Sequence, residues 1–462
     1  MTVNKEPGFF HALSVFTVVF LTLSVGLFRY QFSLHILVFA SILWVGIHAR
    51  LLGYQYKQIQ QMMFAAVTRA LPAITIFLLI GMVIASLMHS GTIASLIYHG
   101  LNWLSPSVFL PLGLILCALM SLATGTSWGT VGTLGVVLMG LGVAMNIPLP
   151  LVAGVVISGA TFGDKLSPVS DTTNLAAMSA EVNLYQHIRS MLYTTVPAFA
   201  IAILVFWYLG KDYGVEQYSQ ETVQQIQAVL AAEYQLSIWV TLLPIVVMLG
   251  LSLWRFPAEI SMVCCVMTAV LVALLYQDSE AVNVVNALWQ NQAPDTGLEN
   301  IDNLLGRGGL NSMSWTLLLS MLALALGGVL HQAGFLRVLV WGVIARLEKV
   351  GSLVAATIGF GVIGNLAMGE AYITIILNSQ LFKHKYEASE VSAAVMSRSV
   401  EEGATQTTGL IPWTTAGAFY AATLDVQVLD YLPYAIFNYI NPMIGILFAY
   451  LGIGLMRKKK LV

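Results

Sequence analysis

Charge is scarce in this chain. Lys, Arg, Asp and Glu make up 9% of its 462 residues, where a soluble domain carries about 25%. Apolar residues make up 58%. Water cannot solvate a fold with so little charge to spread over so much apolar surface, so a bilayer must. No room is left for a large soluble domain. The net charge of −2 provides no basic stripe, which excludes nucleic acid as a partner. Cysteine is equally sparse. Cys117, Cys264 and Cys265 lie in apolar runs, and none has a histidine at metal spacing, which argues against a disulfide framework or a zinc site. No Gly-x-Ser-x-Gly elbow surrounds Ser127 or Ser170, and neither a His-Glu-x-x-His motif nor a Walker A loop is present. An intramembrane enzyme and an ATP-driven pump are therefore disfavoured, and no resident cofactor is implied.

What is abundant is apolar sequence of membrane-spanning length. A helix needs about 20 apolar residues to cross roughly 30 Å of hydrocarbon. Spans are expected at 9–28, 33–52, 66–88, 107–123, 128–145, 190–210, 235–254, 258–276, 313–331, 350–368 and 432–455. The stretches 151–180 and 370–424 are apolar but interrupted by polar residues, Gly and Pro. Residues 93–104 and 335–346 are shorter and amphipathic, and are expected at the interface. The polar residues 1–8 precede a full-length span without a small-residue cleavage site, so that span is expected to be retained.

Loop charges set an orientation. Arg50 and Lys57 occur in 50–62 without an acid, and the tail carries Arg457, Lys458, Lys459 and Lys460. Both are expected to be cytoplasmic. The linker 211–234, with Asp212, Glu216, Glu221 and Glu233 against Lys211, and the loop 277–312, with Arg307 alone, lack a cationic excess and belong outside. Each half then crosses an odd number of times, so similar halves would be upside down relative to each other. Three landmarks recur in order: Met88-His89 with Leu330-His331, Thr124-Gly125 with Met368-Gly369, and Thr172-Thr173 with Thr414-Thr415, at offsets of 242, 244 and 242. The expected fold is an all-α polytopic membrane protein of two inverted-topology repeats with broken helices or re-entrant hairpins. Residues 1–210 form the first repeat, 211–234 an extracytoplasmic linker and 235–462 the second. Such repeats with interrupted helices characterise transporters, and a continuous pore is disfavoured.

The densest polar segment is Gly163-Asp164-Lys165-Leu166-Ser167-Pro168-Val169-Ser170-Asp171-Thr172-Thr173-Asn174. Pro168 interrupts a helix, and carbonyls freed within lipid must find partners. A sodium ion is one, being hard and oxygen-seeking like other hard cations. Ser167, Ser170, Asp171, Thr172, Thr173 and Asn174 supply side-chain oxygens, and Asp171 supplies charge. Asp164 joins this set, with an ion pair to Lys165 as the alternative.

This run resembles the signature of the NhaC family of Na⁺/H⁺ antiporters, which also includes malate/lactate exchangers. The stretches Thr124-Gly-Thr-Ser-Trp-Gly-Thr130 and Glu401-Glu-Gly-Ala404 are in keeping with it. The resemblance implies a repeat fold whose broken helices bind the ion, with Asp171, Thr172, Thr173 and Asn174 at or near the site.

A second constellation comprises Thr124, Thr126 and Ser127, whose hydroxyls beside Gly125 and Gly129 complete an oxygen cage. Asp171, Thr172 and Ser127 are the expected cation ligands. Glu370 stands 244 residues after Thr126, and a carboxylate inside a membrane is expensive and usually functional or paired. Asp171, Glu370, Glu401 and Glu402 are the expected proton-coupling groups, with a salt bridge to Arg398 as the alternative for the last two. Trp413 takes the place of Asp171 in the second half. His89 and His331 read as interfacial caps, and Arg69 as a snorkelling or paired cation.

The function these features imply is secondary exchange of Na⁺ for H⁺ by alternating access, in a bacterial cytoplasmic membrane with both termini cytoplasmic. The alternative is Na⁺- or H⁺-coupled exchange of a small organic acid or amino acid. Expected partners are Na⁺, H⁺ and membrane lipid, a small organic acid under the alternative, and a homo-oligomer compatible with either.

Overall fold

A computed structural model describes residues 5–211, 213, 220–344 and 347–457, of which the described residues are helical with one isolated β-bridge. The tail lysines Lys458, Lys459 and Lys460 and the linker acids Asp212 and Glu216 fall outside the described residues. The first half runs through α1 (Phe9–Phe28), α2 (Leu34–Leu51), α3 (Tyr56–Arg69), α4 (Leu71–His89), α5 (Thr92–Trp103) and α6 (Pro106–Thr124). A four-residue helix α7 (Ser127–Thr130) then continues through a π turn into α8 (Val136–Ala144), followed by α9 (Leu149–Leu166), α10 (Asp171–Ser179) and α11 (Leu184–Gly210). The connecting region holds α12 (Gln220–Glu233), α13 (Ile238–Thr241), α14 (Leu243–Leu253), α15 (Ala258–Leu275), α16 (Ala281–Trp289) and α17 (Glu299–Leu305). The second half contains α18 (Ser314–Gln332), α19 (Phe335–Ile344), α20 (Val350–Met368), α21 (Ala371–Ala388), α22 (Ala393–Thr408), α23 (Thr415–Leu424), α24 (Val428–Tyr431) and α25 (Ile436–Leu451).

Among the described residues, nine helices are long and apolar enough to cross a membrane, and two further helix pairs are bent by more than 40°, as broken spans or re-entrant loops are. The chain is a multi-pass, all-α membrane protein. Two expected spans are interrupted, and proline explains both. The 66–88 span breaks at Ala70, because Pro72 occupies the first turn of α4. The 235–254 span breaks at Leu242, ahead of Pro244 in the first turn of α14. Proline is tolerated there because the first-turn N–H groups have no intrahelical partner. The short α5 packs one face into the protein. Ile93, Ala94 and Ile97 are buried, and its Thr92 hydroxyl donates to the Thr241 carbonyl at 2.6 Å.

The element starts recur at one spacing. α9 begins at 149 and α22 at 393, α10 at 171 and α23 at 415, and α11 at 184 and α24 at 428, each 244 residues apart (393 − 149 = 244). The packing recurs with them. A Cβ on Gly159 of α9 would lie 2.4 Å from the Leu114 carbonyl of α6, and one on Gly403 of α22 would lie 2.4 Å from the Ile358 carbonyl of α20. Small residues let membrane helices approach this closely. The Ser121 hydroxyl donates to the Ala160 carbonyl at 2.7 Å, and 244 positions on the Asn365 amide donates to the Ala404 carbonyl at 2.6 Å.

Two matched breaks share a backbone conformation as well. Gly125 ends α6 at φ +71°, and Gly369 ends α20 at φ +67°. This left-handed region costs glycine nothing. Thr126 and Glu370 follow in extended conformation, and each caps the next helix with its side chain, accepting from Gly129 N at 3.2 Å and Ile373 N at 3.0 Å. The other two breaks, after α9 and after α22, end on the caps Ser170 and Thr414, which accept from Thr173 N at 3.4 Å and Gly417 N at 3.0 Å.

Candidate functional site

Four helix breaks converge. Between them lies a small polar cavity of about 50 Å³. Seven pairs of its lining residues are 244 positions apart: Thr126 and Glu370, Ser127 and Ala371, Trp128 and Tyr372, Thr161 and Thr405, Asp164 and Thr408, Asp171 and Thr415, and Thr172 and Ala416. Only Ile76 and Tyr420 complete the wall. The cavity therefore sits where equivalent parts of the two halves meet. A second cavity of about 490 Å³ shares Ile76, Trp128, Asp171, Glu370 and Tyr372 with it and extends to Arg69, Glu259, His331 and Gln380.

Three carboxylates face the small cavity, each held differently. Asp171, the first residue of α10, is exposed at the cavity wall and accepts from its neighbour Thr172 N at 2.8 Å and from the Tyr372 hydroxyl. Glu370 is buried and caps α21. Both acids thus sit at helix N-termini, where the helix dipole favours negative charge. Asp164 differs, because it lies in the last turn of α9, at the negative end of the dipole. Its Oδ2 accepts from the Ser127 hydroxyl at 2.7 Å, and its buried Oδ1 has no hydrogen-bond partner.

The remaining residues of the motif serve the backbone. The Ser167 hydroxyl donates to the Leu122 carbonyl at 2.8 Å. The Asn174 amide donates to the carbonyls of Pro168 at 3.0 Å and Ser170 at 2.6 Å, closing the break. Thr124 donates to the Met120 carbonyl at 2.9 Å. Thr173 donates to the Lys165 carbonyl and to Glu401 Oε1, both at 3.1 Å.

Glu401 and Glu402 do not line the cavity. They belong to a wholly buried cluster behind it. Glu401 Oε2 lies 2.7 Å from His187 Nε2, whose Nδ1 lies 2.7 Å from Ser397 Oγ. Glu402 accepts from the Thr194 hydroxyl and faces Lys165 Nζ at 4.0 Å and Arg398 Nε at 3.9 Å. Arg398 thus sits beside Glu402. Lys165 turns to Glu402 and not to the adjacent Asp164, since neighbouring residues on a helix project about 100° apart. His89 lies 3.0 Å from Asn291 of the connecting region, a structural contact.

The pairing of Trp413 with Asp171 needs correction. The helix starts align Asp171 with Thr415. Trp413 is buried, and its indole N–H donates to the Leu366 carbonyl at 3.0 Å. Matching the threonine pairs in sequence gave an offset of 242, two residues short of the register set by the helix caps. Of the wall residues Thr161, Thr405, Thr408 and Tyr372, sequence reasoning noted Thr405 and Thr408 only as mirroring the Ser/Thr loop of the first half and passed over the other two. The signal for the first three was the spacing itself, because Thr161 and Asp164 recur as Thr405 and Thr408.

The sequence profile of the Na⁺/H⁺ antiporter family matches residues 8–173 and 159–453. The Na⁺/H⁺ antiporter NhaC of Alkalihalophilus pseudofirmus is 38% identical over 431 residues, 92% of each chain. The malate-2H⁺/Na⁺-lactate antiporter of Bacillus subtilis is 33% identical, covering 96% of this chain and 93% of that one. The arginine/ornithine antiporter ArcD of Halobacterium salinarum is 32% identical, covering 97% and 93%. With matches that run nearly end to end, this chain belongs to the Na⁺/H⁺ antiporter family.

Proposed function

We propose that this protein exchanges Na⁺ for H⁺ across a bacterial cytoplasmic membrane by alternating access. It acts as a transporter and not as an enzyme. The observation that carries this reading is the meeting of Asp164, Asp171 and Glu370 around one small cavity between matched halves. Carboxylates are hard oxygen ligands for a cation and are also proton acceptors. A shared set that holds either Na⁺ or protons couples the two flows by competition. Inward proton movement then drives Na⁺ out. Asp171, Thr172 and Ser127, on the cavity wall, are the proposed cation ligands. Thr126 and Asp164 join them there, while Ser167, Ser170, Thr173, Asn174 and Thr124 shape the breaks. Asp171 and Glu370 are the proposed proton carriers, with Glu401 and Glu402 acting from behind the wall.

Residues 1–210 and 235–462 are read as two repeats of inverted topology, joined by the extracytoplasmic segment 211–234. Two contacts support the inversion. His89, at the end of α4, meets Asn291. Gln332, at the end of the matched α18, donates to the Met62 carbonyl of α3, the helix that leads into the start of α4. Both contacts fit matched helices that end on opposite sides. Both termini are placed in the cytoplasm. Lys5 N donates to Leu52 O at 2.9 Å beside the cationic 50–62 stretch, and Pro7 packs near Gly334, just beyond α18. The 490 Å³ cavity reaches His331 and Gln380 on this side.

A second reading is favoured by that larger cavity. Its volume lies in the range of small-molecule sites, and Arg69 and His331 stand in its wall. Exchange of a small organic acid alongside Na⁺ and H⁺ fits this space and the malate/lactate relative.

The test is a proteoliposome assay of luminal pH on addition of Na⁺, comparing the native chain with Asp171→Asn, with and without malate or lactate. Exchange that needs only Na⁺ and a pH difference, and that disappears in Asp171→Asn protein of unchanged elution profile, is expected. Normal exchange by Asp171→Asn removes that residue from the mechanism. Exchange that requires an added acid favours the second reading.

A further inference from the structure

Three residues that line the small cavity each carry a buried oxygen without a hydrogen-bond partner. These oxygens are Asp164 Oδ1, Thr405 Oγ1 and Thr408 Oγ1. The residues are 5%, 8% and 6% exposed, so bulk water does not satisfy them. Leaving a buried polar atom unsatisfied costs about 1–3 kcal/mol, and more for a charged group. Three such costs around one cavity of about 50 Å³ would be met by a shared partner. Two further features identify it. The atoms are acceptors or hydroxyls able to act as acceptors, and they come from the last turns of α9 and α22, where helix dipoles present partial negative charge.

Resting on the reading of this cavity as the transport site, we infer that a dehydrated monovalent cation of Na⁺ type is seated by Asp164 Oδ1, Thr405 Oγ1 and Thr408 Oγ1, between the ends of two repeat-related helices. Asp171, Thr172 and Ser127 complete this ligand set from the outer wall, and the innermost charge falls to Asp164, because Asp171 and Glu370 each already have a helix N-terminal dipole and hydrogen bonds to balance them. Asp164 has Oδ2 engaged by Ser127 and Oδ1 without a geometric hydrogen bond, with the Ser170 hydroxyl also acting on the carboxylate. A single innermost carboxylate with neutral hydroxyls matches a charge of +1. The repeat explains how the seat arises. Thr161 and Asp164 on α9 correspond to Thr405 and Thr408 on α22, so one ancestral pair of positions supplies ligands from both sides, with the charge kept on one side only. Asp171 then stands at the mouth shared with the larger cavity, where its bond to Tyr372 joins α10 to α21.

A trapped water is the rival occupant. It would also partner three oxygens, and removing one hydroxyl would then leave cation binding unchanged. Equilibrium binding of ²²Na⁺ to the purified full-length protein in detergent separates the two. Thr405→Val and Thr408→Val keep side-chain shape and remove the ligand oxygen. Each is expected to weaken binding about tenfold or more, the scale of a hydrogen-bond-type contact to an ion. Thr405→Ser and Thr408→Ser restore it, and Asp164→Asn abolishes it. Thr316→Val is the matched control, because Thr316 also has a buried unpartnered hydroxyl but lies on α18, away from the cavity. It should bind as the native chain does. Native affinity in both valine variants, or loss of binding in Thr316→Val equal to theirs, overturns the seat. Native protein that binds ²²Na⁺ with this pattern but moves no protons in vesicles overturns the exchange reading and leaves the seat standing.

Discussion

Glu402 shows what a buried charge in this protein requires. Its side chain is wholly buried, and its neighbours are Thr194, Lys165 and Arg398. Gly445 of α25 makes room for it, since a Cβ there would lie 2.2 Å from Glu402 Oε2. Removing one partner of a buried ionic group typically costs about 3–5 kcal/mol, because the other charge is left uncompensated. Lys165→Met is therefore expected to lower the unfolding temperature in detergent markedly. Glu402→Gln added to it should recover part of the loss. Equal unfolding temperatures for the native and Lys165→Met proteins would show that Glu402 does not depend on that ammonium. At this scale the sequence was legible where chemistry and chain break coincide. Asp171, Thr172, Thr126, Ser127 and Glu370 sit next to Gly or Pro that interrupt helices, and all line the cavity. Thr161 and Thr405 lie inside helices about one turn before their ends, and Thr408 is the last residue of α22. Nothing local distinguishes them from packing hydroxyls, and only the meeting of two distant segments gives them a common cavity. His187 was invisible for the same reason, since its partners Ser397 and Glu401 are more than 200 positions away.

Between elements, close approach is set by glycine and the interruption by caps. α22 can lie against α20 only because position 403 has no side chain. Gly403→Ala would place its Cβ 2.4 Å from the Ile358 carbonyl, a backbone atom that cannot swing aside. Gly359 on the same α20 has no neighbour within 4 Å of such a Cβ. Gly359→Ala is expected to give monodisperse protein at native yield, and Gly403→Ala to aggregate or to lose yield severely. Comparable yields and elution profiles would mean that the α20–α22 contact tolerates separation. The helical spans themselves were readable from apolar length alone, because bilayer thickness fixes that length. The register of the repeat was not, because short matches such as paired threonines slide by a residue or two. The cap geometry at Thr126, Glu370, Ser170 and Thr414 fixes it at 244.

For the whole molecule, alternating access requires that the cavity between the halves be open on one side at a time. The 490 Å³ cavity shares Asp171, Glu370 and Tyr372 with the small one and extends to His331 and Gln380. Another cavity, of about 450 Å³, is lined by Asn291, Arg307, Trp315, Ala422 and Asp425. Phe77, Trp128 and Phe419 form an aromatic cluster beside the small cavity, with ring centroids 5.0, 5.2 and 5.4 Å apart and Trp128 in the cavity wall. Arg307 and Asp425 close its rim with a 3.0 Å ion pair. The small cavity thus shares wall residues with the 490 Å³ cavity and none with the 450 Å³ one. Transport demands a second state in which this asymmetry is exchanged. In a background with Cys117, Cys264 and Cys265 replaced, single cysteines at Gln380 and at Ala422 report the two cavities. Their labelling rates with a membrane-impermeant maleimide should change in opposite directions when the Na⁺ or pH gradient is reversed. The coupling follows from population shift, because a ligand that favours one state depletes the other by the same factor. Rates that rise and fall together would mean that both cavities breathe independently of the transport cycle, and the two-state exchange between matched halves would have to be abandoned.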